Sequence, residues 1–200
     1  MPIEIKKNDL PKLVKALETL ADMEVLVGIP AENAGREPQP GEVRTPLNNA
    51  ELGYIHEFGG TIQHPGGTEY VIDEGGKARF VKSGTTDGTR KTGPHAIDIP
   101  PRPWLRPGVE EAKDKIAKAL LRGAKAVVAG NPDGARDGLD GAGLVAQASV
   151  MNKLTNGPFT PLASSTLAKR RARGITRTNP LNDSGAMRNS VKYAIVKKDD

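Results

Sequence analysis

Three histidines, His56, His64 and His95, are the only imidazoles in this 200-residue chain, and there is no cysteine at all. A metal-binding helix needs two such ligands on one face, about four residues apart. His56, in "YIHEFGG", has no histidine at that spacing. Without thiols the chain can form neither disulfides nor thiolate nucleophiles nor cysteine-held zinc. No metal and no other cofactor is expected. His56 reads as a helix-end or interface histidine, while His64 and His95 fall in segments where exposure is the default. A metal-dependent hydrolase would require His56, Glu57 and His64 to converge in the fold. The glycine pairs at 59–60, 66–67 and 75–76 do not have the spacing of a phosphate-cradling loop or a dinucleotide fingerprint. Ser164, Ser165, Ser184 and Ser190 lack a nucleophile-elbow setting, and no two acids single themselves out as acid and base. The chain therefore reads as non-enzymatic.

The basic cluster Lys169, Arg170, Arg171, Arg173 and Arg177 is a clearer candidate. Clustered bases hold phosphates through a salt-sensitive, sequence-independent attraction, so this region could contact the backbone of a nucleic acid. Equally, it could be a solvated helix end favoured by the helix dipole. No aromatic residue interleaves with the bases, which disfavours base stacking or readout. The net charge of +5 conceals an asymmetry: residues 1–60 carry 10 acids and 6 bases, whereas residues 165–198 carry 9 bases and the single acid Asp183. Unlike ends of this kind suit head-to-tail stacking of copies or contact of the basic end with nucleic acid.

Only one core is expected from this length, and a modest one, since 36% of residues are hydrophobic and 4% aromatic, against 23 glycines and 16 prolines. "MPIEIKKNDL" has no signal-like apolar run, and no window is long and apolar enough to cross a bilayer, so a soluble protein used inside a cell is expected.

The elements that would carry these residues follow from periodicity. Leu10, Leu13, Val14, Leu17 and Leu20 form a helical stripe behind Asn8 or Asp9 as cap. "MEVLVGI" alternates as a strand that Pro30 ends. A second helix from Asn48 carries Leu47, Ala50, Tyr54 and Phe58 on one side and stops at Gly59–Gly60. Two alternating runs about Glu74-Gly75-Gly76 make a hairpin, and "HAIDIP" is a third extended run. Pro107 is expected to open a long helix with Glu110 and Glu111 in its first turn. Its buried stripe is Val109, Ala112, Ile116, Ala119, Leu120, Gly123, Val127 and Val128. A helix with Thr160 as cap, Pro161 first and Gly174 as stop is expected next, then a helical turn capped by Asp183 and a closing strand with Val191, Tyr193 and Ile195 on one face. The segments 31–46, 83–95 and 130–158 read as flexible loops or insertions in a single domain, the last with a weak helical signal near Leu144, Val145, Ala148 and Met151. In "IPPRPWLRPGVEE", prolines 100, 101, 103 and 107 stiffen an elbow around the only tryptophan, Trp104. Trp104 is either a core anchor for that elbow or a plug facing a partner.

Taken in order, "VLVGIP", "NAELGYIHEFGG", "IPPRPWLRPGVEE" and "PLNDSGAMRNSVKY" resemble the signature blocks of tail-completion, or neck, proteins of long-tailed bacteriophages. That family reads strand, then "A..HEFG", then "RPF.R" opening a long helix, then "L.DTG.L..S" before a closing strand. Ile55–Gly59, Arg102–Arg106 and Leu181–Ser190 occupy those places, with Trp104 for the usual phenylalanine and Ser184 for threonine. The resemblance covers residues 23–29, 48–63, 99–125 and 160–197.

The resemblance implies an α+β fold, a small mostly antiparallel β-sheet packed against a long α-helix and shorter helices, with an extended β-hairpin and long loops. It implies a structural virion protein located at the head-tail junction and assembled in the host cytoplasm. Its copies would form a homo-oligomeric ring, hexameric or dodecameric, between the head-completion or connector proteins and the tail-terminator or tail-tube proteins. Genomic DNA would pass through the lumen, where the bases at 169–177 could touch it; no membrane is involved. The residues placed at oligomer or partner interfaces are His56, Glu57, Phe58, Arg102, Trp104, Arg106, Asp183 and Arg188.

Overall fold

The computed structural model describes residues 10–37, 47–84, 88–131 and 133–198. The caps expected at Asn8 or Asp9 lie outside them. The fold is α+β, with six helices and seven short strands among the described residues. Its centre is an antiparallel helix pair, α3 (Leu105–Val128) and α4 (Gly134–Asn156). A two-stranded antiparallel ribbon of β1 (Met23–Gly28) and β7 (Lys192–Lys197) lies on α4, in register Val25 opposite Ile195. The expected layer of sheet on long helix is thus present, but α4 is the helix that receives the sheet. The core gathers Trp104, Val150, Leu154, Leu181, Met187 and Val191.

Helix α4 corrects the reading of 130–158 as a flexible insertion. Glycine costs about 1 kcal/mol against alanine in a helix interior, which is why "GARDGLDGAGLVAQAS" reads as a poor helix. Tertiary packing overrides that propensity. Gly134, Gly138, Ala142, Ala146 and Val150 recur every four residues and are all buried. They face Gly108, Ala112, Ala119, Gly123 and Val127 of α3. A Cβ on Gly123 would sit 2.6 Å from the Cα of Gly138, and one on Gly108 2.9 Å from the Cα of Val150. The glycines let two backbones approach to a distance that larger side chains forbid.

Other boundaries differ for identifiable reasons. Helix α3 begins at Leu105, two residues before Pro107, because its first amides have a partner elsewhere in the chain, described below. Val128, assigned to its buried stripe, is 65% exposed. Helix α1 (Leu10–Asp22) buries none of its residues, so its leucine stripe is only half covered. Helix α2 (Asn49–Phe58) starts with a reciprocal capping box between Asn48 and Glu51, and Gly59 alone, at φ +69°, ends it. Its buried face is Asn49, Gly53 and Glu57; Leu47, Tyr54 and Phe58 face solvent. Residues 31–33 of the expected first loop form a 3-10 turn, and 38–46 lie outside the described residues.

Between α2 and α3 the chain makes an arm. Its stem is β2 (Gly60–His64) paired antiparallel with β6 (His95–Ile99). Its tip is a three-stranded sheet in which β3 (Glu69–Ile72) pairs with β4 (Ala78–Phe80) and β5 (Arg90–Lys91). The hairpin turn forms where expected, with the Asp73 side chain accepting from the N–H groups of Gly75 and Lys77 and Gly76 at φ +75°. Strand β5 places part of the expected loop 83–95 in the sheet, and 85–87 lie outside the described residues. Helix α5 (Ser164–Ala172) starts three residues after Pro161, and α6 (Ala186–Asn189) is preceded by Gly185 at φ +89°. No helix among the described residues is long and apolar enough to cross a membrane.

Candidate assembly interface

The blocks at 48–60, 99–106 and 181–191, far apart in sequence, meet at one corner of the molecule. Glu57 is 6% exposed and has no basic partner among the described residues; its carboxylate instead holds the start of α3. The N–H groups of Trp104 and Leu105 donate to Glu57 Oε2 at 2.6 and 2.8 Å, and that of Arg106 donates to Oε1 at 3.1 Å. An N-cap side chain ordinarily comes from the residue before the helix. Here it comes from 47 residues upstream, and its negative charge meets the positive end of a 24-residue dipole. Asp183 is correspondingly not the cap of α6; Ser184 Oγ accepts from Ala186 N–H at 3.2 Å.

Trp104 fills the corner as a core anchor at 3% exposure, and its indole N–H donates to the Gly53 carbonyl at 2.9 Å. Gly53 lets the indole pack closely, since a Cβ there would lie 3.0 Å from the ring. Arg102 is also buried; its backbone N–H donates to the His56 carbonyl at 2.7 Å and its Nε to the Thr160 carbonyl at 3.1 Å. The third block is tied in by Asn49, whose amide donates to Ser190 Oγ at 2.8 Å and to the Gly35 carbonyl at 3.0 Å. Glu57, Arg102 and Trp104, expected at an interface, are buried and build this corner from within.

What that corner presents outward is Tyr54, Phe58 and Arg106. The two rings lie 4.8 Å apart, and the Arg106 guanidinium sits 5.2 Å over Phe58, which is 49% exposed. An arginine stacked on an exposed aromatic pair has the composition of an interface centre. His56 is half-buried on another side of α2, facing Leu162, Thr166 and Arg170 across a cavity, with Nδ1 unpartnered. Burial first, and then the Arg102 charge, hold its pKa below the ordinary histidine value. His64 and His95 stack on each other in the arm, with centroids 4.9 Å apart. No group of three or more His, Asp or Glu that could hold a metal occurs among the described residues.

The basic cluster divides. Arg170 is 4% exposed and donates to the carbonyls of Arg177, Asn179 and Pro180 at 2.7–3.1 Å, with its Nε 3.4 Å from Asp183 Oδ1. Arg173 pairs with Asp183 at 2.9 Å, and Arg177 donates to the Asp183 carbonyl at 2.7 Å. These three arginines knit residues 170–183 into a folded loop, so Arg170 is not available to DNA. Lys169 and Arg171 remain on the surface, and Arg188 is half-buried.

No family model, curated protein or solved structure matches the chain. The neck-protein resemblance therefore rests on its sequence blocks alone. Sequence reasoning missed Asn49 as the link between blocks and Glu57 as a cap. The only signal for either was an acid and an amide on the face of α2 opposite its aromatics.

Proposed function

We propose that this chain is a structural subunit of a phage neck, a non-catalytic tail-completion protein that assembles with its own copies into a ring at the head-tail junction. The observation that carries this reading is the corner itself. Three blocks that resemble the family's signature are joined by Glu57, Trp104 and Asn49 into one rigid unit. That unit directs the Tyr54, Phe58 and Arg106 patch outward. Glu57, Arg102 and the Trp104 indole are engaged by backbone amides and carbonyls, an arrangement suited to shape and not to turnover. Large apolar side chains left in solvent, among them Leu10, Tyr54, Phe80 and Leu144, supply further surface for contacts.

Electron microscopy of the purified protein, or of particles containing it, tests the proposal. A closed ring at the neck is expected; a monomer in both settings refutes it. The second reading, backbone contact with DNA, keeps the exposed Lys169 and Arg171 as its support. Duplex binding that weakens steeply with salt is its expected sign, and no binding at low salt removes it.

A further inference from the structure

The second half of α3 carries a charged face that no contact within the fold uses. Lys115, Lys118, Arg122 and Lys125 recur at steps of three and four residues, and all four are exposed. At 3.6 residues per turn they fall within an arc of about 80° along about 15 Å of helix. From residue 115 to residue 132 the chain has these four bases and no acid. None of the four is hydrogen-bonded or ion-paired among the described residues. The first turns of the same helix differ: Glu110 pairs with Lys113, and Glu111 with Lys153 of α4. Asp114 borders the stripe and marks where the mixed charges stop.

A solvated helix face ordinarily alternates its signs, because bases three or four residues apart repel one another and oppose the helix. The helix dipole favours cations only in the last turn, which accounts for Lys125 and not for the three bases before it. A helix that rests on a bilayer sinks an apolar face beneath its bases; that of α3, with Ala112, Ala119 and Gly123, is packed on α4. The neighbouring helix leaves the stripe open, since Arg122 extends over Gly141 of α4, where a Cβ would lie 3.4 Å from the guanidinium.

We propose that this stripe holds the phosphate backbone of duplex DNA. One strand of a duplex offers a phosphate about every 3.4 Å along the axis, so about four face a stripe of this length. Four unpaired bases meet that number. No aromatic or amide side chain lies between them to read a base, so the contact is blind to sequence. It rests on the DNA contact given above as the second reading, and moves its site from residues 169–177 to α3.

Fluorescence anisotropy of the full chain with a labelled duplex of arbitrary sequence tests the assignment. Release of four counterions gives a log–log salt slope of about −3.6, or about 150-fold weaker binding between about 50 and about 200 mM salt. A stripe variant carrying Lys115→Gln, Lys118→Gln, Arg122→Gln and Lys125→Gln keeps helix propensity and should keep the circular dichroism spectrum. It should bind about tenfold or more weakly at the lower salt and lose most of the slope. Lys169→Gln with Arg171→Gln should stay within about threefold of the parent. A stripe variant that binds like the parent overturns the assignment to α3, and loss of binding in the 169 and 171 variant then leaves the DNA reading standing. No binding by the unmodified chain at low salt overturns both. Phosphatidylserine vesicles bound as tightly as the duplex, and released by the stripe variant, give the surface to a membrane and overturn the nucleic-acid partner.

Discussion

Replacing Glu57 by alanine should be the most damaging single change in the corner. The substitution removes one carboxylate and leaves three amides, those of Trp104, Leu105 and Arg106, without acceptors at a buried helix start. A buried donor left unpaired costs about 1–3 kcal/mol, and loss of a helix cap about 1 kcal/mol. Water entering the vacated space would restore part of this, which puts the expected loss at roughly 4 kcal/mol. For a chain of this size each kcal/mol moves Tm by about 2–4 °C, so a fall of about 8–16 °C is expected. Glu57→Gln keeps one acceptor oxygen but turns a donor toward the amides, and should lose about 2–3 kcal/mol. Glu51→Ala is the internal standard: Glu51 caps α2 at an exposed position and should cost about 0.5–1 kcal/mol. Urea unfolding at neutral pH followed by circular dichroism measures all three. If Glu57→Ala falls within about 1 kcal/mol of the parent, the carboxylate is not what holds α3, and the account of the corner is wrong.

Gly123→Ala should destabilise by about 1–3 kcal/mol, because its methyl would meet the α4 backbone, which has no flexible end to move aside; thermal unfolding checks it, with Gly130→Ala unsuitable as a control because of its φ of +94°. His56 should make stability depend on pH. Its folded pKa lies below the unfolded value of about 6.5. Stability is then complete above that pH and falls as pH drops through it, by at most about 1.4 kcal/mol per unit. Denaturant midpoints measured from pH 7.5 to pH 5 should fall less in His56→Gln than in the parent, and identical slopes would exclude the effect. Arg170→Ala should cost about 3 kcal/mol by leaving three carbonyls without their donor, Asp183 keeping its pair with Arg173, while Lys169→Ala should stay within about 0.5 kcal/mol; duplex binding measured on the same pair separates folding from phosphate contact.

How far the sequence carried the fold can be judged from particular residues. Helices α1, α2 and α3, strands β1 and β7 and the hairpin about Gly75 follow from local rules of period, cap and turn, and each forms close to its expected place. What local rules do not contain is the partner across space. Glu57 looks like any acid near a helix end until the amides of residues 104–106 arrive beside it. The glycines of α4 signal a loop when counted one by one. Only their four-residue spacing against the matching small residues of α3 shows a close-packed pair. Arg170 likewise belongs to a basic cluster in sequence and to the interior in space, because it satisfies the carbonyls of a loop that the sequence cannot place.

Both strands of the arm leave the body within a few residues of that same carboxylate. Gly59 enters the stem pressed so close to the other strand that a Cβ would lie 2.7 Å from the Ile99 carbonyl and 2.9 Å from the Pro101 nitrogen. A pivot packed this tightly leaves no slack between the arm and the helix beyond it. A tug on the far end, from whatever grips it, is delivered to the first turn of the longest helix, so mechanical load on the tip becomes tension along the central axis of the subunit.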